Sequence, residues 1–430
     1  MSNIDFSSKE CKRSRTSYSA WCAIDYCIAL MVSGVYLVKL FRHIGLSDAL
    51  IGVVSSITSL AFLFQLLSIP LVRYIKDTRK TTIFLVTISE VMYFGIYFVP
   101  FMPVGRTVQT ILVILLLLFA YIIKTMISGI YFKWAYSFVS PDGRGIYSAT
   151  KEIISLVSGI VYMLAIAYVV DLYVEGGNLT GSFLFLGIMV GILNVASFVS
   201  VFLIGKDRND EKITENKISF KQVATKTLCN KNFISVIILT IIYNVGIYSS
   251  TSFMGVYAEG ELALKVMTIQ IISSVVCVAR IFVSRPIGRF SDKTSYATGI
   301  YLGLVIAAVG FGINMFTTPA TWWFYIAYTL LYNISVAATA QNMENVCYSY
   351  VEDEYIVQAL AIKNSIGGIV GFLTSIGASM VVEHIQSSGN MIFGMNMYAQ
   401  QFLSGVSFVI ILAGAFYCNK VIRKQKIINQ

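Results

Sequence analysis

Four ionisable residues stand inside otherwise apolar stretches of this sequence: Asp25, Glu90, Lys124 and Arg280. A charge in hydrocarbon is expensive, so such residues default to functional roles. Each lies about 7 to 10 residues from one end of its stretch, roughly 10 to 15 Å deep at 1.5 Å per helical residue, near the middle of a bilayer. Two acids and two bases at matching depth can neutralise one another. Lys124 with Glu90 or with Asp25 is the most economical pair. A carboxylate whose proton affinity depends on which side its cavity faces is a proton carrier; the competing reading is a permanent salt bridge among Glu90, Lys124 and Asp25. Arg280 has no acid at its depth in its own half. Its fork of donors could clamp an anionic group of a solute, or it could bond backbone carbonyls or reach the inner interface.

Uncharged polar residues within apolar runs are Gln65, Asn244, Gln270, Asn333, Gln341 and Asn342, with Tyr243, Tyr248, Tyr328 and Tyr332 adding hydroxyls nearby. Glu344 sits near the inner end of its run and is expected at a mouth rather than at the midplane. His43 and His384 fall at outer ends, away from any midplane proton relay. The seven cysteines form no Cys-x-x-Cys pair and are odd in number, so they are expected reduced and structural. No metal-binding cluster, phosphate cradle or nucleophile–base arrangement stands out. No enzyme activity, cofactor or metal is therefore expected, and nothing resembles the ATP site of a primary pump.

The elements that hold these residues follow from composition. The chain has 430 residues, 57% hydrophobic and only 13% charged, against about 25% charged in soluble proteins. Lipid is the solvent that tolerates such a surface. Twelve apolar stretches of membrane-spanning length can be drawn: 19–41, 49–73, 81–103, 107–134, 148–174, 181–205, 230–258, 265–288, 295–317, 319–346, 358–383 and 398–418. They are continuous rather than alternating, which predicts helices and not a barrel. The polar stretch 1–18 precedes an apolar run too long for a signal-peptide core, so span 1 is expected to be retained. Of the 32 Lys and Arg, only Lys39, Arg42, Arg106 and Lys265 fall on the side opposite the termini, and Lys124 and Arg280 fall inside spans. The positive-inside rule places both termini in the cytoplasm. The net charge of +10 is thus a topology signal, not a nucleic-acid footprint.

The sequence also repeats itself. "YSFVSPDGRGIYSATK" (136–151) matches "YSYVEDEYIVQALAIK" (348–363) at an offset of 212, and seven of 24 positions from Tyr136 to Gly159 are identical, Lys151 with Lys363 among them. Six spans separate the copies, an even number, which is the parity of parallel repeats. A second pair agrees: Pro70, Arg73 and Asp77 after span 2, and Pro286, Arg289 and Asp292 after span 8. Ser155 and Gly159 in span 5 align with Gly367 and Gly371 in span 11; small residues four apart let helices approach closely in lipid. The charged stretch 206–229 is the natural linker between halves, and a short apolar face, Phe220, Val223, Ala224 and Leu228, could lie on the membrane there.

Twelve spans, a 6+6 repeat, a central linker and short basic loops after spans 2 and 8 resemble the major facilitator superfamily. Gly288-Arg-Phe-Ser-Asp292-Lys293 matches the first part of its Gly-x-x-x-Asp-(Arg/Lys)-x-Gly-(Arg/Lys) loop signature. The copy after span 2 has Arg73 where the glycine should be. "PDGRG" (141–145) is similar to the family's loop after span 4, whereas span 5 lacks the proline of drug-antiporter members. The resemblance covers roughly residues 17 to 420. It implies an all-α polytopic membrane protein with twelve transmembrane helices in two pseudo-twofold-related six-helix bundles, 19–205 and 230–418, flanked by tails 1–18 and 419–430. It implies a seam at spans 5 and 11 that slides during alternating access, with plain helix packing as the competing reading. It places spans 1, 7 and 10 at the cavity, favouring Asp25 as proton carrier and Asn244, Asn333 and Gln341 as solute contacts. Arg73, Asp77, Arg289 and Asp292 are expected as gate latches. The function implied is secondary active transport of a small organic solute coupled to protons, by a plasma-membrane monomer. The alternative is a non-transporting sensor on the same fold, which a C-terminal tail of about a dozen residues does little to support.

Overall fold

The computed structural model describes residues 6, 8–67, 71, 75, 77–140, 144–206, 229–351, 356–392 and 394–425, with the side chains at 132, 133, 144, 145, 149, 341, 356 and 357 excluded. Pro70, Arg73, the segment 141–143 and all but the ends of the expected linker lie outside them.

The apolar runs are helices. They are α1 (Lys9–Met31), α2 (Gly34–His43), α3 (Asp48–Ser55), α4 (Ile57–Ala61), α5 (Thr78–Ile96), α6 (Arg106–Tyr136), α7 (Arg144–Glu175) and α8 (Leu179–Phe202), then α9 (Lys231–Tyr248), α10 (Val266–Lys293), α11 (Tyr296–Asn314), α12 (Trp323–Tyr350), α13 (Ile356–Ser387) and α14 (Ala399–Lys420). Ten helical stretches among the described residues are long and apolar enough to cross a membrane. The expected spans 81–103 and 319–346 are helical as α5 and α12 but fall short of that measure. Arg79, Lys80 and Glu90 dilute the first, and Asn333 with several tyrosines the second. Large apolar side chains point outward, Phe84 at 65% and Phe282 at 74% exposure, as a lipid-facing surface requires. The chain is an all-α polytopic membrane protein. A hairpin of two-residue strands, Met391–Ile392 with Met395–Asn396, is its small β element.

Polar residues at the run boundaries start the helices. Asp77 Oδ1 accepts the Lys80 N–H at 2.9 Å, Asn230 Oδ1 those of Asn232 and Phe233, and Ser295 Oγ that of Thr298 at 3.1 Å. Each satisfies a first-turn donor that no carbonyl of the helix reaches.

The chain forms two compact units: Met1–Leu46 with Leu67–Lys217, and Ser47–Leu66 with Ile218–Gln430. Residues 47–66, expected with the first bundle, thus cluster with the second. The reason is a close approach: a Cβ at Gly368 of α13 would strike the Ser59 carbonyl oxygen, so only glycine lets α13 lie against α4. Ser365 Oγ then donates to the Phe62 carbonyl at 3.0 Å, where the segment tightens into a 3-10 turn, Phe62–Leu67.

Within each unit a long span is interrupted, the one that α1 opens in the first and the one that α9 opens in the second. In the first unit α1 stops at Met31 and α2 begins at Gly34, whose φ is +55°. The hydroxyls of Tyr97 and Tyr121 donate to the freed carbonyls of Met31 and Val32. In the second unit α9 ends at Tyr248 and gives way to a 3-10 turn, Thr251–Phe253, and a π turn, Tyr257–Glu261. There Gln400 donates to the Ser250 carbonyl at 3.0 Å. Broken backbone inside a membrane is tolerated where side chains satisfy it in this way.

The aligned small residues also do the same thing twice. A Cβ at Gly159 of α7 would stand 2.5 Å from the Tyr26 ring of α1, and one at Gly371 of α13 would stand 2.6 Å from the Tyr248 ring of α9. Each glycine therefore seats its helix on another helix of its own unit, α1 for Gly159 and α9 for Gly371.

Candidate functional site

In the first unit, α1, α5 and α6 bring three of the four expected charges together. Lys124 Nζ donates to Asp25 Oδ1 in an ion pair whose side chains keep 20% and 23% of their exposure. The Lys124 ammonium also lies 5.5 Å from the centre of the Tyr93 ring. Of the two possible partners for Lys124, the structure chooses Asp25. Glu90 is 2% exposed and is held from α8 instead. Its carboxylate accepts from Ser197 Oγ at 2.5 Å, and its carbonyl accepts from Asn194 Nδ2 at 2.8 Å. Aromatic rings wall the cluster: Tyr93 and Tyr121 meet edge to face at 5.4 Å, Trp21 and Tyr131 at 5.0 Å. Water is thereby kept from much of the site, which strengthens every charge interaction within it.

In the second unit, α9, α12, α13 and the Ser59–Phe62 segment line a cavity of about 320 Å³. Of the expected solute contacts, Asn244 lines it, its amide group donating to the Thr240 carbonyl at 2.8 Å. Tyr243 and Tyr248 line it too, the Tyr243 hydroxyl standing 3.2 Å from Thr339 Oγ1. Asn333 does not line it; its amide is turned onto the Thr329 carbonyl of its own helix at 2.9 Å. The Gln341 side chain lies outside the described residues. Asn342 is buried against Ser291, a packing bond at 2.9 Å. Arg280 is half-buried in α10, close enough to Tyr332 to interact with it electrostatically.

Two charges line the cavity that the sequence reading did not place there. Glu344, expected at a mouth, contributes from α12, and Lys363 contributes from α13. Lys363 is 6% exposed, and among the described residues no ion pair joins it to an acid. The signal for it was already visible: Lys363 is the repeat partner of Lys151. It lies only a few residues into its expected span, where a lysine ordinarily reaches water.

The loop residues fare unequally. Asp77 caps α5 and pairs with Lys80 at 3.6 Å. Asp292 and Arg289 are exposed within the last turns of α10, which runs on to Lys293. The cap of the following helix is Ser295 instead. Arg73 lies outside the described residues. Ser155 Oγ donates to the Lys151 carbonyl at 3.1 Å, and Gly367 brings α13 to within 2.9 Å, measured from a notional Cβ, of Asn244 Nδ2.

The family model described as Major Facilitator Superfamily matches residues 20–375. The chain belongs to that superfamily. It is a transporter family and not an enzyme family. Solved structures agree on the fold. A nucleoside transporter, NupG, is 15% identical with a TM-score of 0.70, the match covering 96% of this chain and 99% of that one. A D-xylose-proton symporter is 12% identical with a TM-score of 0.67, over 95% and 97%. A bacterial homologue of the human lysosomal transporter Spinster is 14% identical with a TM-score of 0.66, over 97% of each chain. No curated protein matches the sequence. This superfamily member has the twelve-helix, two-bundle fold typical of its family, and α5 and α12 complete the count.

Proposed function

We propose that this chain is a secondary active transporter that moves a small organic solute by alternating access and in step with protons. The observation that supports it is the Asp25–Lys124 pair with Glu90 beside it. One ammonium neutralises one carboxylate, so two acids around one lysine balance their charge only with one bound proton. Asp25 is the carrier in this reading, because its side chain keeps some access while Glu90 is sealed beneath Ser197. Protonation of Asp25 releases Lys124; deprotonation recaptures it. The neighbours named a D-xylose-proton symporter and a nucleoside transporter carry solutes of the size class proposed.

The rest of the reading follows the same assignment. The protein sits in the plasma membrane as a monomer with both termini in the cytoplasm. Asn244 contacts solute, with Arg280, Asn333 and Gln341 taking part in another state of the cycle. Arg73, Asp77, Arg289 and Asp292 latch the inner gate. Ser155, Gly159, Gly367 and Gly371 keep the spans close enough to slide. The two bundles are 19–205 and 230–418, joined through 206–229.

Reconstituted vesicles test the core of this. Solute uptake should rise with an inward-acid pH gradient, and Asp25→Asn should abolish that rise while leaving solute counterflow. Unchanged pH-driven uptake in Asp25→Asn removes Asp25 from the role. A wild-type protein that moves no solute in any arm, yet still alters a cellular response, favours a sensor.

A further inference from the structure

Among the described residues, one buried cation, Lys363, and one acid, Glu344, line the cavity of the second unit. We infer that its ligand is a small zwitterion of the α-amino-acid class, with its carboxylate on Lys363 and its ammonium on Glu344. This rests on the reading that the chain carries a solute, and it names the chemistry of that solute.

Three observations carry it. First, Lys363 and Glu344 line the same cavity from adjoining helices. They are not within ion-pair distance of each other among the described residues. A buried ammonium without a bound counter-charge is costly; an arriving carboxylate supplies that counter-charge, and the ligand's own ammonium answers Glu344. Separated charges of opposite sign in one cavity suit a ligand carrying both, whereas a neutral sugar or nucleoside would leave both charges unanswered. Second, a cavity of about 320 Å³ has room for a guest of amino-acid size. Third, the remaining wall is mixed in the manner an amino acid needs. Phe62 and Met343 offer apolar surface to a side chain, and Asn364, which reaches Gln65 Oε1 at 3.4 Å, offers an amide beside Lys363. Gly367 and Gly368 leave room between them, since side chains there would collide with Asn244 and with the Ser59 carbonyl.

The test is a binding measurement on the whole protein in detergent, with no gradient. Thermal unfolding is followed with each of the twenty standard L-amino acids, with 4-methylpentanoate (leucine without its amine), with isoamylamine (leucine without its carboxylate), and with glucose and uridine. A subset of amino acids should raise the melting temperature in a concentration-dependent way, each single-charge analogue should bind at least about tenfold more weakly, and glucose and uridine should do nothing. Lys363→Gln should weaken amino-acid binding by roughly ten- to a hundredfold, the range of a charge-assisted hydrogen bond. Glu344→Gln should abolish the preference for leucine-type ligands over 4-methylpentanoate while keeping carboxylate binding, so the proposal can still be tested if Lys363→Gln does not fold. Stabilisation by glucose or uridine that survives Lys363→Gln overturns the assignment, as does amino-acid binding that neither variant alters. The outcomes separate the two readings. Amino acids that bind but are never taken up into vesicles would count against transport and leave the site standing. Proton-driven uptake of a neutral solute would do the reverse.

Discussion

Each unit buries a lysine that faces its polar interior, and the two are answered differently. Lys124 has Asp25 bonded to it and the Tyr93 ring beside it. Lys363 lines a cavity, with an acid across the space but not in contact. A charge balanced from within can exchange a proton without needing cargo. A charge left open to a cavity needs something from outside. On the reading proposed above, one duplicated bundle divides labour: coupling in one copy, recognition in the other. The repeat partner of Lys363 sharpens this. Lys151 occupies the matching position in the first half, and its ammonium lies 5.3 Å from the centre of the Tyr18 ring.

The largest expected effect breaks this comparison directly. Lys124→Met leaves Asp25 partly buried without its cation, and removal of one member of a buried pair costs about 3 kcal/mol or more. Lys363→Met removes a buried charge that no acid among the described residues contacts and puts apolar volume in its place, which is neutral or stabilising in the absence of ligand. Thermal unfolding of the two ligand-free variants should therefore diverge, the first falling by several degrees and the second holding or rising. Equal losses in both would mean that Lys363 is internally paired and that the contrast is wrong. Next in size is a contrast between glycines. Gly368→Ala drives a methyl into the Ser59 carbonyl, and backbone cannot step aside, whereas Gly371→Ala meets the Tyr248 ring, which can turn. Overpacking of this kind costs about 1–3 kcal/mol; Gly368→Ala should sit at the upper end and Gly371→Ala at the lower, read from melting temperatures.

Much of the fold was legible because lipid imposes a simple rule: runs of about 20 apolar residues must be helices. The repeat at 136–151 and 348–363 and the paired glycines gave the duplication. Their packing on Tyr26 and Tyr248 then repeats faithfully. The helix interruptions at Gly34 and after Tyr248 were not legible, because satisfaction of the broken backbone comes from Tyr97, Tyr121 and Gln400, residues distant in sequence. The first unit's charge cluster was foreseen because a charge in mid-span is conspicuous. Its partner choice was not, since Asp25 and Glu90 have the same reach by depth alone. Lys363 was missed for the opposite reason: near a span end a lysine ordinarily reaches water, and only packing against α4, α9 and α12 shuts it in. Asn333 is turned away from the cavity here, an asparagine in a helix being able to satisfy itself on the carbonyl four residues back.

The smallest expected effect tests whether the two basic loops still resemble each other in function. Asp77 accepts the Lys80 N–H as the cap of α5, and loss of such a cap costs about 1 kcal/mol. Asp292 is exposed inside the last turn of α10 and caps nothing, so its loss should stay within about 0.5 kcal/mol. Asp77→Ala should thus lower the melting temperature measurably, and Asp77→Ser should restore it, because a serine hydroxyl can take the same N–H. Asp292→Ala should change it little. If instead Asp292→Ala slows solute uptake without any shift in melting temperature, the second loop acts in the transport cycle and not in stability. The two copies of one loop will then have parted roles, as the proposed reading has it for the two lysines.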